Sequence, residues 1–510
     1  MKKTILFVMI ITFLSKLFGF VRDLVLAYFY GASNISDAYI VSLTIPSVIF
    51  AFVAAGISTG YIPMYNRVQI ASGDAGAKEY TNNLINVTFL LCSVIVLLVL
   101  LFTKQIVAVF ASGFDDDTLN MAVQFTQISI LSIYFTGMVS IYKSYLQIQG
   151  SFIITSLMGF VLNACILLSI YISSKYSLTF LAIGTVAGAA AQLIVLLPYV
   201  YRQGYRYKLF VNLHDKHIKE MAVIALPVIL STSITDLNKL VDRTIASQIA
   251  VGGISSINYA NTLKTFVMSI FVTSILTVLY PLISKMAAEG NVKGLKKSFR
   301  TSLIAITIII IPATVGLMFF SEPIVRVLFA RGQFDEYAID MTSGALFFYA
   351  IGLIGFSFRE VISRVFYSLQ DIKTPTWNAS ISIIINIILN IILSKYMGIG
   401  GLALATSISG ILCTVLLLRS LKKKIGDIDL KQIFVSMSKV MVASIIMGIT
   451  SIIIYNRLGI IYGLSEGFAL LISIVVAVAV YIIMIYFMKL KEVDELKRTV
   501  MRKWKKRSNT

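Results

Sequence analysis

Apolar runs separated by short polar or glycine-bearing breaks recur along the whole chain. Taken as helices, about fourteen of them are long enough to cross a hydrocarbon core of roughly 30 Å. Their approximate cores are 4–30, 37–66, 83–110, 119–146, 152–174, 178–201, 220–249, 256–286, 300–328, 338–368, 375–397, 400–420, 433–456 and 463–488. The pattern predicts an all-α polytopic membrane protein. Composition agrees, since the 510 residues are 58% hydrophobic and 13% charged with a mean hydropathy of +0.88, too apolar for a soluble enzyme. The start, Met1-Lys2-Lys3, imitates a signal peptide. No small-residue cleavage site follows it, so an uncleaved first span is expected.

The formal charge of +20, from 44 Lys and Arg against 24 Asp and Glu, is distributed by loop. Connections 31–36 and 250–255 carry no basic residue, and 175–177 and 395–399 carry one Lys each. The alternate connections hold Arg202, Arg206, Lys208, Lys216 and Lys219, then Lys285, Lys293, Lys296, Lys297 and Arg300, then Arg419, Lys422, Lys423, Lys424 and Lys431. Lys and Arg concentrate on the cytoplasmic side of membrane proteins, which predicts that both termini are inside. The basic tail 491–510 suits an anionic leaflet at about 1 kcal/mol per contact. No nucleic acid is needed to explain the charge. Cys92, Cys165 and Cys413 all fall within apolar runs and read as small core residues.

An internal repeat organises the chain. Phe110-Ala111-Ser112-Gly113 recurs as Phe329-Ala330-Arg331-Gly332, an offset of 219 (329 − 110). Pro63 with Arg67 recurs as Pro281 with Lys285, an offset of 218 (281 − 63). Leu146-Gln147 and Asn163 recur as Leu369-Gln370 and Asn386, both at 223 (386 − 163). Leu181-Ala182 with Thr185 recurs as Leu402-Ala403 with Thr406, at 221 (406 − 185). Copies of six spans each share one orientation, which predicts parallel-repeat lobes around a central cavity and hence alternating access. The expected divisions are 1–215 for helices 1–6, 216–428 for helices 7–12, and 429–490 for two appended helices ahead of the tail.

Charges inside spans are expensive and face a cavity or a partner. Lys16 and Asp23 are seven apart on one helical face, while Arg22 is about 120° from Lys16. One structural arrangement pairs Lys16 with Asp23 and Arg22 with Asp37. In the seventh span Asp236, Lys239, Asp242 and Arg243 lie at helical-neighbour spacing. Lys264 has no acid near it in sequence, and an i,i+4 pairing of Glu360 with Arg364 would leave Arg359 over. Basic groups from both halves suit an anion, and Arg can fork onto phosphate oxygens. That points to a phosphate-bearing, lipid-linked substrate. His214 and His217 lack a Cys or Glu to complete a zinc set, and no nucleotide-binding or hydrolase motif is present. An enzyme is therefore not expected.

Three stretches carry a resemblance: Ser15-Lys16-Leu17-Phe18-Gly19-Phe20-Val21-Arg22-Asp23, Gly31-Ala32 through Ser36-Asp37-Ala38-Tyr39, and Phe366-Tyr367-Ser368-Leu369-Gln370-Asp371-Ile372-Lys373-Thr374-Pro375. With them the chain resembles the MurJ lipid II flippases of the multidrug, oligosaccharide-lipid and polysaccharide exporter superfamily. The resemblance implies a cationic cavity that accepts the pyrophosphate and sugar-peptide head of lipid II, and a groove at the appended helices for its tail. By this match Lys16, Arg22, Asp37 and Arg359 are substrate-binding positions. Phe50 and Thr262 stand where the family commonly has arginines, which makes Lys264 and Arg243 candidate replacements. Some members resemble a sodium-linked design. Here Asp236, Asn386, Asn390 and Thr406 fit its spacing, with Asn390 in place of a carboxylate; oxygen ligands suit a monovalent cation, and asparagines bonding between helices are at least as good an explanation. The coupling is left as Na+ or H+, with no resident cofactor.

The expected partners are lipid II or a similar polyprenyl-diphosphate-linked glycan, membrane lipids, and cell-wall synthesis proteins. Three rivals stay open: a flippase for another such glycan, an ion-coupled multidrug antiporter, and a transport-inactive scaffold.

Overall fold

The computed structural model describes residues 2–488, and the side chains of all of these but 2–6, 227, 230, 231, 233, 234 and 460–462. The basic tail 491–510 and its expected contact with an anionic leaflet lie outside the described residues. Every described element is helical: α1 (Lys2–Tyr30), α2 (Asn34–Leu101), α3 (Thr103–Phe110), α4 (Asp116–Ser129), α5 (Ser132–Ile148), α6 (Phe152–Ser173), α7 (Thr179–Arg202), α8 (Lys216–Ile249), α9 (Gly253–Ala288), α10 (Val292–Phe319), α11 (Ser321–Phe329), α12 (Glu336–Ser368), α13 (Lys373–Ile425), α14 (Leu430–Tyr462) and α15 (Glu466–Phe487). Among the described residues nine helices are long and apolar enough to cross a membrane, and the α4–α5 pair, bent by 41°, makes a tenth candidate. The fold is an all-helical polytopic membrane fold.

Two helices are far longer than a bilayer is thick. A straight helix of the 68 residues in α2 would be about 100 Å long. It is instead two helical halves meeting at Gly73 (φ 70), and α13 is likewise two halves meeting at Gly398 (φ 54). The polar stretch around residues 67–82, expected as a loop, is therefore helix on either side of one glycine. Polar residues such as Gln69 and Asp74, which bond each other at 2.6 Å, are compatible with exposed helix ends.

The repeat extends to backbone detail. The third apolar run breaks at Phe102 (φ −113, ψ 22) and the ninth at Phe320 (φ −113, ψ 20), 218 residues apart (320 − 102). Asp115 caps α4 through Thr118 N at 3.3 Å, and Asp335 caps α12 through Ala338 N at 2.8 Å.

The chain divides into two compact units. The first holds Met1–Ser256 with Arg331–Ala338, and the second holds Ile257–Ala330 and the chain from Ile339 onward. The first has a tyrosine-rich core in which Tyr61, Tyr65, Tyr80, Tyr142, Tyr145 and Tyr205 are buried. Their polar tips are placed: Tyr61 OH lies 2.9 Å from Thr81 Oγ1 and Tyr205 OH donates to Asn82 Oδ1 at 2.7 Å, as buried tyrosine requires. In this unit α8 is seated on α2, where Gly56 faces Ala225 and Gly60 faces Met221. Small residues there let the helices approach closely.

In the second unit α14 and α15 pack on α10. Ile311 meets Val440, Ala443 and Ile485, Val315 meets Met447 and Ala477, and Tyr481 OH donates to Ile308 O at 2.6 Å. The two halves of α13 are joined by Asn378 Nδ2 to Ser420 Oγ at 3.1 Å and by Ser382 Oγ donating to Ser409 O.

Candidate functional site

Arg22 sits two turns from the end of α1, where Asp23 and Asn163 of α6 hold its guanidinium. Its Nε and Nη2 donate to Asp23 Oδ1 at 3.0 and 2.8 Å, and Nη1 donates to Asn163 Oδ1 at 3.3 Å. The Arg22 side chain is 27% exposed and that of Asp23 only 7%. Of five guanidinium N–H donors, these bonds use three. The carboxylate that helical spacing offers to Lys16 thus bonds Arg22, and Lys16 is exposed on the same helix. Asn163 carried no site signal in the sequence beyond its repeat match with Asn386.

Asp37 does not meet Arg22, which corrects the expected pair. It is buried, and its carboxylate accepts from Gly252 N at 3.0 Å and Ser255 N at 2.7 Å, closing the N-terminus of α9. Unpaired N–H groups and the positive end of the helix dipole favour an anion there. Around it further helix ends and loops of the same unit press together. Gln333 N donates to Tyr28 O at 3.0 Å, Gly113 N to Ser247 Oγ at 3.1 Å, and Gln248 Nε2 to Ser112 Oγ at 2.7 Å. At Gly252 (φ +78) a Cβ would overlap the Ala32 carbonyl oxygen, so only glycine fits both the backbone angle and the space. Any ligand contact by Asp37 first requires these bonds to break.

In the second unit Lys264 is buried, its ammonium 4.3 Å from the Tyr349 ring centroid and 4.8 Å from that of Phe356. Ring quadrupoles attract such a cation. Arg359 lies 5.8 Å from the same Phe356 ring, so one aromatic joins the two basic candidates. From Thr265 a cleft of about 440 Å³ runs along α9 and α12, lined by Thr265, Ser269, Thr273, Thr277, Glu360 and Arg364 among others. The four hydroxyl residues recur at every fourth position, which puts them on one helical face. Arg364 lies over Tyr280 at 5.4 Å and not against Glu360, so the expected i,i+4 pair is replaced by a ring contact.

Phe50 is buried against Cys92, Val96 and Ile133, an apolar cluster that would leave a guanidinium unpaired. In α8 Lys239 Nζ reaches Asp236 Oδ1 at 2.8 Å and Asn238 Nδ2 reaches Asp242 Oδ2 at 3.3 Å; Arg243 is half-buried one residue on. Three of the four cation-site candidates do converge. Asn390 Nδ2 donates to Asn386 Oδ1 at 3.1 Å and Asn386 Nδ2 to Thr406 Oγ1 at 3.5 Å, so these side chains bond one another, while Asp236 is engaged with Lys239. Among the described residues no group of three or more His, Cys, Asp or Glu could hold a metal.

The most specific sequence motif proves to be a helix start. Asp371 caps α13 through Thr374 N at 3.0 Å and Thr374 Oγ1 at 2.8 Å, and Lys424 at the far end of α13 bonds the same carboxylate. Burial pushes this carboxyl up, and the Lys424 and Thr374 bonds outweigh it, holding the group below its ordinary range.

A family model described as "Lipid II flippase MurJ" matches residues 26–473. A "Probable lipid II flippase MurJ" of Thermotoga maritima is 26% identical over 498 residues, 98% of each chain. One from Vibrio cholerae is 28% identical over 424 residues, 80% of this chain and 81% of the other. A solved structure described as "Lipid II flippase MurJ, inward closed conformation" superposes with a TM-score of 0.81 at 27% identity, covering 95% of this chain and 98% of that one. A multidrug resistance MATE family transporter in an inward-facing conformation shares the fold at a TM-score of 0.71 and 14% identity, over 81% of this chain and 95% of that one.

Proposed function

Because the chain belongs to the MurJ lipid II flippase family, a family of transporters and not enzymes, we propose that it carries lipid II from the cytoplasmic to the outer leaflet of a bacterial plasma membrane. It does so by alternating access of two repeat-related six-helix lobes, with α14 and α15 as the appended pair and both termini cytoplasmic. The observation that carries the substrate class is Arg22. Asp23 and Asn163 fix its guanidinium, which keeps partial exposure and two N–H donors for phosphate oxygens. Arg359 and Lys264 add positive charge from the second copy, and Lys16 adds it from α1. The hydroxyl face of α9 suits the sugar part of the head group, because hydroxyls donate and accept alike.

The pairing of Lys264 with two rings supports its standing in for the basic position lost at Thr262. Lys264→Ala is expected to lower flipping about tenfold, corresponding to about 1.4 kcal/mol. Lys264→Arg, which keeps both charge and ring stacking, should retain most activity. Full transport by the alanine variant in a lipid II vesicle assay would remove Lys264 from the site.

The head group is negative, so an interior-negative potential of 100 mV favours its export by about 2.3 kcal/mol per charge. In vesicles holding the purified chain and lipid II, collapsing the potential is expected to stop net flipping. Transport that ignores the potential would point to another drive, and no lipid II movement at all would sink the functional reading.

A further inference from the structure

The connection from α7 to α8 is held as firmly as a secondary-structure element. Residues 205–212 carry no helix or strand, yet three asparagines near the start of the second half of α2 bond them repeatedly. Asn82 Oδ1 accepts from Tyr205 OH at 2.7 Å and from Lys208 N at 2.8 Å. Asn83 Oδ1 accepts from Asn212 N at 2.7 Å, and its Nδ2 donates to Asn212 O at 3.0 Å and to Asp215 Oδ2 at 2.9 Å. Asn86 Oδ1 accepts from Tyr207 OH at 2.6 Å, and its Nδ2 donates to Phe210 O at 3.0 Å. Side-chain amides here replace the backbone partners that a regular element would supply.

The segment so fixed shows apolar side chains outward. Leu209 is 83% and Leu213 60% exposed, with Phe210 and Val211 exposed between them. A loop free to relax would bury such groups, and contiguous exposed apolar surface marks an interaction site. Two features select the occupant. First, the face is basic: Arg206, Lys208, Lys216 and Lys219 are exposed, whereas the nearby acids are engaged, Asp215 with Asn83 and His217 N and Glu220 with Arg67. Second, it continues the apolar exterior of α2, where Phe89, Leu90, Leu91, Val94 and Leu97 are exposed, beginning about one turn beyond Asn86.

We propose that residues 206–213 form an interfacial anchor on the anionic phospholipid of the inner leaflet. Leu209 and Leu213 enter the acyl boundary, and Arg206 and Lys208 lie on lipid phosphates. The choice of leaflet rests on the orientation proposed above. Because the asparagines fix the segment to α2, the anchor sets the depth of the α7–α8 connection in the bilayer.

The test uses the full chain in nanodiscs, with Trp377 and Trp504 replaced by Phe and Leu209→Trp as the reporter. Leu209 is exposed, so the substitution leaves the packing alone. Tryptophan emission is expected to be quenched roughly twofold by lipids brominated near the headgroup, and less when phosphatidylglycerol is replaced by phosphatidylcholine or when Arg206 and Lys208 are both made Ala. Emission that is solvent-like and unquenched in every lipid overturns the anchor. So does protection from aqueous quencher only after a soluble protein is added, which would make the face a protein-docking surface. Tyr176→Cys, on a connection of opposite sidedness, reports orientation separately. Labelling from outside intact cells supports the inner leaflet, and labelling only from the cytoplasm overturns that assignment together with the orientation.

Discussion

Arg22→Ala is expected to abolish measurable lipid II flipping, a loss of about 30- to 1,000-fold. That range corresponds to roughly 2–4 kcal/mol, within the cost of truncating one partner of a buried, hydrogen-bonded charge pair. Two effects act together. The two donors left for phosphate oxygens disappear, and Asp23, 5% exposed, loses the guanidinium that neutralises it at 2.8 Å. Arg22→Lys separates them. An ammonium can still pair with Asp23, but a point charge cannot bridge Asp23, Asn163 and a phosphate in one plane. The lysine variant should therefore insert and fold like the parent chain while transporting far more slowly. A lysine variant with parental rates would show that charge alone suffices at this position. Asn163→Ala is the finer probe, expected to cost less because it takes from Arg22 only the bond of 3.3 Å and leaves the Asp23 pair in place.

Gly252→Val carries the second large effect, on the cluster of loops around Asp37. A β-branched residue at φ +78 costs roughly 1–2 kcal/mol in backbone strain. Its Cβ also overlaps the Ala32 carbonyl, so the segment must shift and stretch the bonds from Gly252 N and Ser255 N to Asp37. Hydrogen bonds to charged groups contribute about 1.5–3 kcal/mol each. Amide exchange across residues 250–256 is expected to rise by about 100-fold or more as this local structure opens. Gly290→Val is the control. It has a similar angle, φ +65, but nothing within 4 Å of a built Cβ, so it reports the backbone cost alone. Equal exchange at 250–256 in the Gly252 variant and the parent would mean that the loops rearrange without releasing Asp37.

The site was legible in parts, and the parts that were not share a cause. Arg22 stood out because an intramembrane guanidinium is costly wherever it occurs, but the acid that holds it is its neighbour in sequence, Asp23, and not the expected Asp37. A long flexible arginine can fold back to the next residue, which helical-wheel geometry does not capture. Lys264 had no acid near it in sequence, and its ammonium is met by Tyr349 and Phe356; rings carry no formal charge, so charge matching could not find them. The Asp371 motif was visible as a pattern, but its role as a helix cap tied to Lys424 needed both ends of α13 brought together. The asparagines at 82, 83 and 86 gave no signal, since amides bonding a loop look like any polar helix end.

Membrane crossing and helical secondary structure were fixed by sequence alone, because both depend on properties that add along neighbouring residues, run length and hydropathy. Which groups meet was decided only by the tertiary structure. Asp37 shows why. Its partners are backbone N–H groups 215 and 218 residues away, and an N–H belongs to almost every residue and leaves no mark in the sequence. Its availability at the start of α9 arises only once a helix ends there and packing carries that end to the carboxylate.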